Sequence, residues 1–379
     1  MAHAYTPGLR ITDKTLVRKE RRLPLKGEVL TAPGNRVQAD TVVARTDLPG
    51  GIQTVNIAGI LGIPPEDVRR YMVKQEGDGV EEGEVIARSR GFFGLFTAIA
   101  KSPVTGHIES VSDVTGQVII REPSSPVEVD AYVDGEVVEV FENEGCVVQT
   151  VGTFIQGIFG IGGESRGELI KVADTPADIL TGDEIDGSCR GKVLISGALV
   201  TREALDKAAK EGVSGIIVGG IDDRDLMDFL GYEIGVAITG SEEKGITLII
   251  TEGFGRMKMT SRTFELLVER VGKRASINGT TQIRAGVIRP EVIIPLDTGP
   301  LSDETKKESP GLEIGSPVRI IREPYFGALG KVLTLPSELQ EIETEARVRV
   351  LEVQLEDGRR VVLPRANVEM IEEGRSVIR

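Results

Sequence analysis

Tryptophan is missing from these 379 residues, and histidine and cysteine occur only twice each. Each scarcity excludes something. His3 and His107 cannot furnish a histidine-rich metal centre or a histidine-based nucleophilic triad. Cys146 and Cys189, far apart in sequence, do not make a disulfide scaffold and read as small apolar residues. No run of eighteen apolar residues occurs, so no membrane-spanning helix is expected. The first residues lack a basic stretch followed by an apolar one, so no secretory signal is expected and a cytoplasmic location is the default. A GxxxxGKS/T phosphate loop, a GxSxG elbow, CxxC pairs and HExxH are all missing. Without a positioned acid/base or metal set, catalysis is the less expected outcome, and neither a metal nor a cofactor is expected. Positive charge is also in deficit: 45 Lys and Arg face 59 Asp and Glu, a formal charge of −14. That balance opposes non-specific attraction of the whole molecule to nucleic acid or anionic membrane, although a local basic face remains open.

Glycine is abundant, at 46 residues, and long helical periodicity is rare. This combination predicts many short strands joined by tight turns. A basic cluster, RKERR at 18–22, reads as a solvated segment leading into a first strand. Residues 63–72 predict a short helix with proline near its start. The segments VKQEGDGVEEGEVIA at 73–87 and SPVTGHIESV at 102–111 place Gly77 and Gly83 at turns between small apolar strands. Residues 127–150 repeat this strand–glycine–strand logic, either completing the same barrel or starting a related one. The glycine-rich stretch 157–167 precedes a further strand, not a helix, and so reads as a bent β corner. From 189 the period changes. Residues 191–196, 215–220 and 247–251 read as strands, with helices at 201–211, 222–230 and 262–271 and a return strand at 274–278. This is a β-α-β arrangement with parallel strands. Polar, Pro/Gly-bearing residues 296–314 predict a linker. Beyond it, GSPVRIIREPYFGALGKV at 315–332 and a hairpin over 346–363 predict a small, bent β-barrel.

Two segments bear family resemblances. The 315–332 run resembles the KOW motif of NusG-type transcription factors and ribosomal proteins. That resemblance implies an SH3-like barrel that binds RNA or protein. Residues 70–122 resemble the biotinyl/lipoyl-type barrel-sandwich hybrid. A carrier of that family holds its modified lysine in a tight hairpin, and here RGFFGLFTAIAK at 90–101 stands in its place. No attached biotin or lipoate is therefore expected at Lys101. The group Phe92, Phe93, Leu95 and Phe96 is either core or a subunit contact. Part of 193–220 resembles small α/β domains of the DRTGG kind. The expected architecture is multidomain and β-rich. It comprises a barrel-sandwich-hybrid part at 1–172, an α/β domain at 173–295, a linker at 296–314 and an SH3-like barrel at 315–379.

Two functional regions follow. After the strand 247–251, Gly253 and Gly255 free the backbone, Arg256 and Lys258 add charge, and Thr260 or Ser261 can cap the next helix. The turn sits where open parallel sheets bind ligands, and helix N-termini favour anions. A phosphorylated metabolite or nucleotide is the ligand it implies, with residues 278–284 and Arg289 approaching the same crevice. The rival reading is glycines that merely turn the chain. In the barrel, Arg319, Arg322, Tyr325 and Phe326 offer cationic and aromatic surface to a partner, supported by Arg347, Arg349, Arg359 and Arg360. A non-catalytic binding or scaffold protein is favoured, with a protein partner or ribonucleoprotein expected before naked nucleic acid. No membrane partner is expected, and a homo-oligomer is possible.

Overall fold

The structure, a computed structural model, describes residues 9–90, 97–232, 244–281, 288–297, 312–320, 324–325, 328–336, 338–341, 347–355 and 357–372. The aromatic group at 92–96 lies outside them, as do Arg284, Arg322 and Phe326.

The N-terminal part comprises strands β1 (Leu9–Arg22), β2 (Glu28–Val29), β3 (Arg36–Val37), β4 (Val42–Leu48) and β5 (Ile52–Asn56), then helices α1 (Ile57–Leu61) and α2 (Val68–Tyr71). Strands β6 (Gly79–Val80), β7 (Val85–Arg90), β8 (Thr97–Lys101), β9 (Gly106–Val111), β10 (Gln117–Arg121), β11 (Ser125–Asp130), β12 (Gly135–Phe141) and β13 (Gly145–Gln156) follow. An antiparallel sheet β5-β10-β9-β6 and the hairpin β7-β8 enclose Ile57, Ile86, Ala100, Ile108, Val118 and Ile120, all shut off from solvent. Gly77 and Gly83 adopt φ of +92° and +80° at the two turns, a region that L side chains enter at a cost. Here the turn residues read from sequence are the ones the backbone uses.

The basic cluster at 18–22 is corrected by the structure. It is the end of β1, paired with β13 in a register from Ile11↔Ile155 to Arg22↔Gly145. Nor does the 127–150 segment join the first barrel. β11 pairs with β4, and β13 lies between β1 and a later strand.

The α/β part contains β14 (Phe159–Ile161), β15 (Glu164–Lys171), β16 (Ile179–Leu180), β17 (Lys192–Ile195), β18 (Leu199–Val200), α3 (Arg202–Glu211), β19 (Gly215–Ile221), α4 (Asp223–Leu230), β20 (Thr247–Phe254), α5 (Ser261–Val268), β21 (Arg274–Asn278) and β22 (Glu291–Pro295). Thr201 accepts from the Ala204 amide to start α3, and Gly212, at φ +77°, ends it. β15, β17, β19 and β20 are parallel neighbours. Apolar residues of α3 and α4 cover one face and those of α5 the other, so the sheet is the middle of three layers. Burying a leucine such as Leu205 completely contributes roughly 1.5–3 kcal/mol. One continuous sheet runs β14-β20-β19-β17-β15-β21-β22-β13-β1, crossing the 172/173 boundary without interruption.

The C-terminal part is an antiparallel half-barrel of β23 (Pro317–Ile320), β24 (Leu329–Thr334), β25 (Leu339–Glu341), β26 (Arg347–Leu355), β27 (Arg360–Pro364) and β28 (Val368–Glu372). Its order is β28-β23-β24-β26-β27, with β25 on the first residues of β26. Val318, Ile320, Val332, Leu351 and Val353 form its core. β28 also pairs in parallel with the start of β1, Leu9 opposite Ile371. Among the described residues, no helix is long and apolar enough to cross a membrane.

Candidate functional site

Four parallel strands bring their carboxyl ends together at Ile195, Val200, Ile221 and Phe254. The chain leaving β20 does not open a crevice there. It lies across the strand ends as an extended strap, residues 253–259. Every second amide is spent inward: Gly255 donates to Ile221 O at 2.7 Å, Met257 to Ala198 O at 3.1 Å and Met259 to Pro176 O at 3.1 Å. Gly255 takes φ +85° at the bend. The strap lies so close that a Cβ on Gly219 would stand 2.1 Å from Met257 O, and one on Gly220 equally near Gly255 O. Glycine on β19 is thus a packing requirement. Arg256 and Lys258 remain exposed on the outside of the strap, Arg256 reaching Ala177 O at 3.4 Å.

The helix start expected to hold an anion already faces one. Thr260 caps α5 with its side chain on the Thr263 amide, and the buried carboxylate of Glu252 accepts from the Thr260 amide at 3.0 Å. Ser261 is the first, exposed residue of the helix. Residues 278–281 do not approach this end. β21 is antiparallel to β15, with Asn278 opposite Glu164, so they leave at the amino end of the parallel strands. There Thr281 exchanges hydrogen bonds with Gly160.

Arg319 is a second correction. Instead of facing a partner it is 1% exposed, because β23 is covered on both sides. Its guanidinium donates to Thr251 O at 3.0 Å, Glu252 O at 2.9 Å and Glu369 Oε2 at 3.2 Å. Glu252 Oε2 lies 3.6 Å away, and Arg289 pairs with the other oxygen of Glu369. Burial pulls the Arg319 pKa down from its ordinary value, against the pull of Glu252 and Glu369. Tyr325 does reach the surface region, with Arg359 5.6 Å above its ring and Asp357 holding that arginine. On the outer face, Lys331, Gln354 and Arg360 form one exposed cross-strand row over β24, β26 and β27. Val362, 62% exposed, stands beside that row on β27.

A third cluster draws Lys19 and Arg21 from the basic run at 18–22, but the sequence does not show their partners. Arg21 grips both oxygens of Glu164 at 2.6 and 2.7 Å and also meets Asp130, which Arg166 engages from the other side. Lys19 and the Tyr132 hydroxyl share Glu291, at 2.7 and 3.2 Å. Tyr132 is buried at φ +65°, the centre of a γ-turn closed by Val133 N to Ala131 O. Burial, then the charge of Glu291, pushes its hydroxyl well above the usual tyrosine range. Apart from Arg166 and Asp130, 36 residues from each other, the partners are more than 100 residues apart in sequence, which is why local patterning does not show them. Cys146 and Cys189 are buried free thiols. Among the described residues, no three His, Cys, Asp or Glu are placed to hold a metal ion.

Comparison with known proteins gives no match to a family model and none to a curated protein.

Proposed function

We propose that this chain is a non-catalytic binding or scaffold protein whose C-terminal half-barrel docks on a protein or ribonucleoprotein. The observation that carries this reading is the exposed Lys331–Gln354–Arg360 row, a local positive face on a molecule of net charge −14. Exposed Val362 beside it adds apolar contact area, and interfaces combine such anchors with a polar rim. The resemblance of 315–332 to the KOW motif supports the same assignment. So does the resemblance of the N-terminal part to the barrel-sandwich hybrid, a small β module without its carrier lysine.

Removing the half-barrel is the wrong test, since it strips β1 of a neighbour and Glu252 of Arg319. The discriminating experiment is co-purification of the full chain and of K331E/R360E from native lysate, with and without nuclease. A partner recovered with the parent chain despite nuclease, and lost with the variant at unchanged melting temperature, is the expected result. Equal recovery by both would reject the docking face. Recovery only without nuclease would make the partner nucleic acid.

A second reading rests on exposed Arg256 and Lys258 above the strand ends: a phosphorylated metabolite or nucleotide held at 253–261. Glu252 at the start of α5 weighs against it. A thermal-shift screen of nucleotides and phosphosugars checks it; stabilisation of several degrees that R256A abolishes would favour this reading over the first.

A further inference from the structure

The strap has two attachment points, and both lead to one residue of the half-barrel. Its root is the pair of carbonyls Thr251 O and Glu252 O at the end of β20, and Arg319 Nη1 donates to both. Its far end is the Thr260 amide, held by the carboxylate of Glu252. That carboxylate lies 3.6 Å from the same guanidinium and also accepts from Thr251 Oγ1 at 3.3 Å. Arg319 in turn is fixed to its own module: it is the direct cross-strand neighbour of Glu369, and the two side chains pair at 3.2 Å. A guanidinium suits this task because its planar fork serves carbonyls on one side and a carboxylate on the other, where an ammonium is a single point.

Between its ends, the strap is held by the three alternate amides already described, by the pairing of Gly253 and Phe254 with Gly220 and Ile221 of β19, and by the Phe254 ring 5.2 Å from that of Phe159. Beyond Phe254 it packs Met259, which joins the α5-side core, and half-buried Met257. Under it lie Gly219 and Gly220.

We infer that Arg319 is a latch through which the seating of the half-barrel governs whether the strap lies closed over the ends of the parallel strands. Two states are defined: a closed strap with Arg319 on the β20 carbonyls, and a lifted strap with Gly219 and Gly220 uncovered. Whatever shifts β23 relative to β20 withdraws the guanidinium from the strap's root and from Glu252 together. The inference depends on neither reading of function, since it concerns only the coupling of two parts of this chain.

Amide hydrogen exchange on the full-length chain tests it. R319K keeps the charge but cannot span Thr251 O, Glu252 O and Glu369 together. R289Q also loosens the hold on Glu369, yet Arg289 makes none of the strap contacts. The readout is exchange at Gly255, Met257 and Met259, with Val332 of the half-barrel and the β1–β13 amides as references. Exchange at the three strap amides about tenfold faster in R319K than in R289Q is expected, as loss of a charge-assisted hydrogen bond implies. Equal strap exchange in the two variants would overturn the latch. So would strap amides that stay protected while Val332 in R319K exchanges faster.

Discussion

Tyr132 donates its hydroxyl to Glu291 Oε1 at 3.2 Å, although its backbone sits at a φ of +65° that a bulky residue rarely adopts. The strain, of order 1–3 kcal/mol, is held by the Tyr132 amide on Ala39 O, by the Ser276 hydroxyl on Tyr132 O and by Arg21 over the ring. Through these contacts Tyr132 joins Ala39 and Arg21 of the N-terminal part to Ser276 and Glu291 of the α/β sheet.

The buried phenol makes stability depend on alkaline pH. Its folded pKa is raised by burial first and by Glu291 next, while the unfolded chain titrates near the ordinary value of about 10. The stabilisation is therefore complete below that value and is lost as pH rises through it towards the folded pKa. Melting temperatures from pH 8 to 11 should fall more steeply for the parent chain than for Tyr132→Phe. Parallel curves would show that the Tyr132 phenol contributes no such pH-dependent stability.

Arg21→Ala should cost about 1–2 kcal/mol, because it removes the guanidinium that joins exposed Glu164 to Asp130, while Arg166 still pairs with Asp130. Urea unfolding of R21A, E164A and the double variant should give losses well short of additive. Simple additivity would mean the pair acts independently.

Gly330→Val should lower stability by about 1–3 kcal/mol. A Cβ at that position would meet Val353 Cγ1 at 2.4 Å and Gln354 O at 2.5 Å, since β24 and β26 press together there. A thermal melt separates this from a tolerant turn, for which no change is expected.

Intact mass of the chain, expressed with active biotin and lipoate ligases, should equal the sequence mass. Lys101 ends β8 and is exposed, but it lies on the strand, away from the β7–β8 hairpin's connection. A mass increment localised to Lys101 would restore the carrier reading.

The α/β part was legible because its signals are local. Thr201 and Gly212 bracket α3 as caps, and the apolar runs of β17, β19 and β20 sit between them and the next turns. The turn glycines Gly77 and Gly83 were legible for the same reason. What sequence could not supply was the destination of charged residues. Arg21 finds Glu164, and Arg319 finds Thr251 and Glu252, across long stretches of chain. Read alone, Arg319 alternates with Val318 and Ile320 and so belongs outside the barrel. It is buried because another part of the protein covers that outer face. The strap shows the same gap, since glycines that free a backbone to meet a ligand equally free it to meet Gly219 and Gly220.

Leu9 opposite Ile371 has a consequence for how the protein comes into being. Synthesis delivers β1 early and β28 late, so Leu9 and Arg10 at the start of the first strand must wait for partners at Ile371 and Glu372. Bare strand edges are where nascent chains stick to one another. Sealing by so distant a contact is also slow, because the loop it closes runs from Leu9 to Ile371. Refolding from denaturant should end in one late phase in which the half-barrel seats and the first strand locks, and crowding before that phase should favour aggregates over monomers.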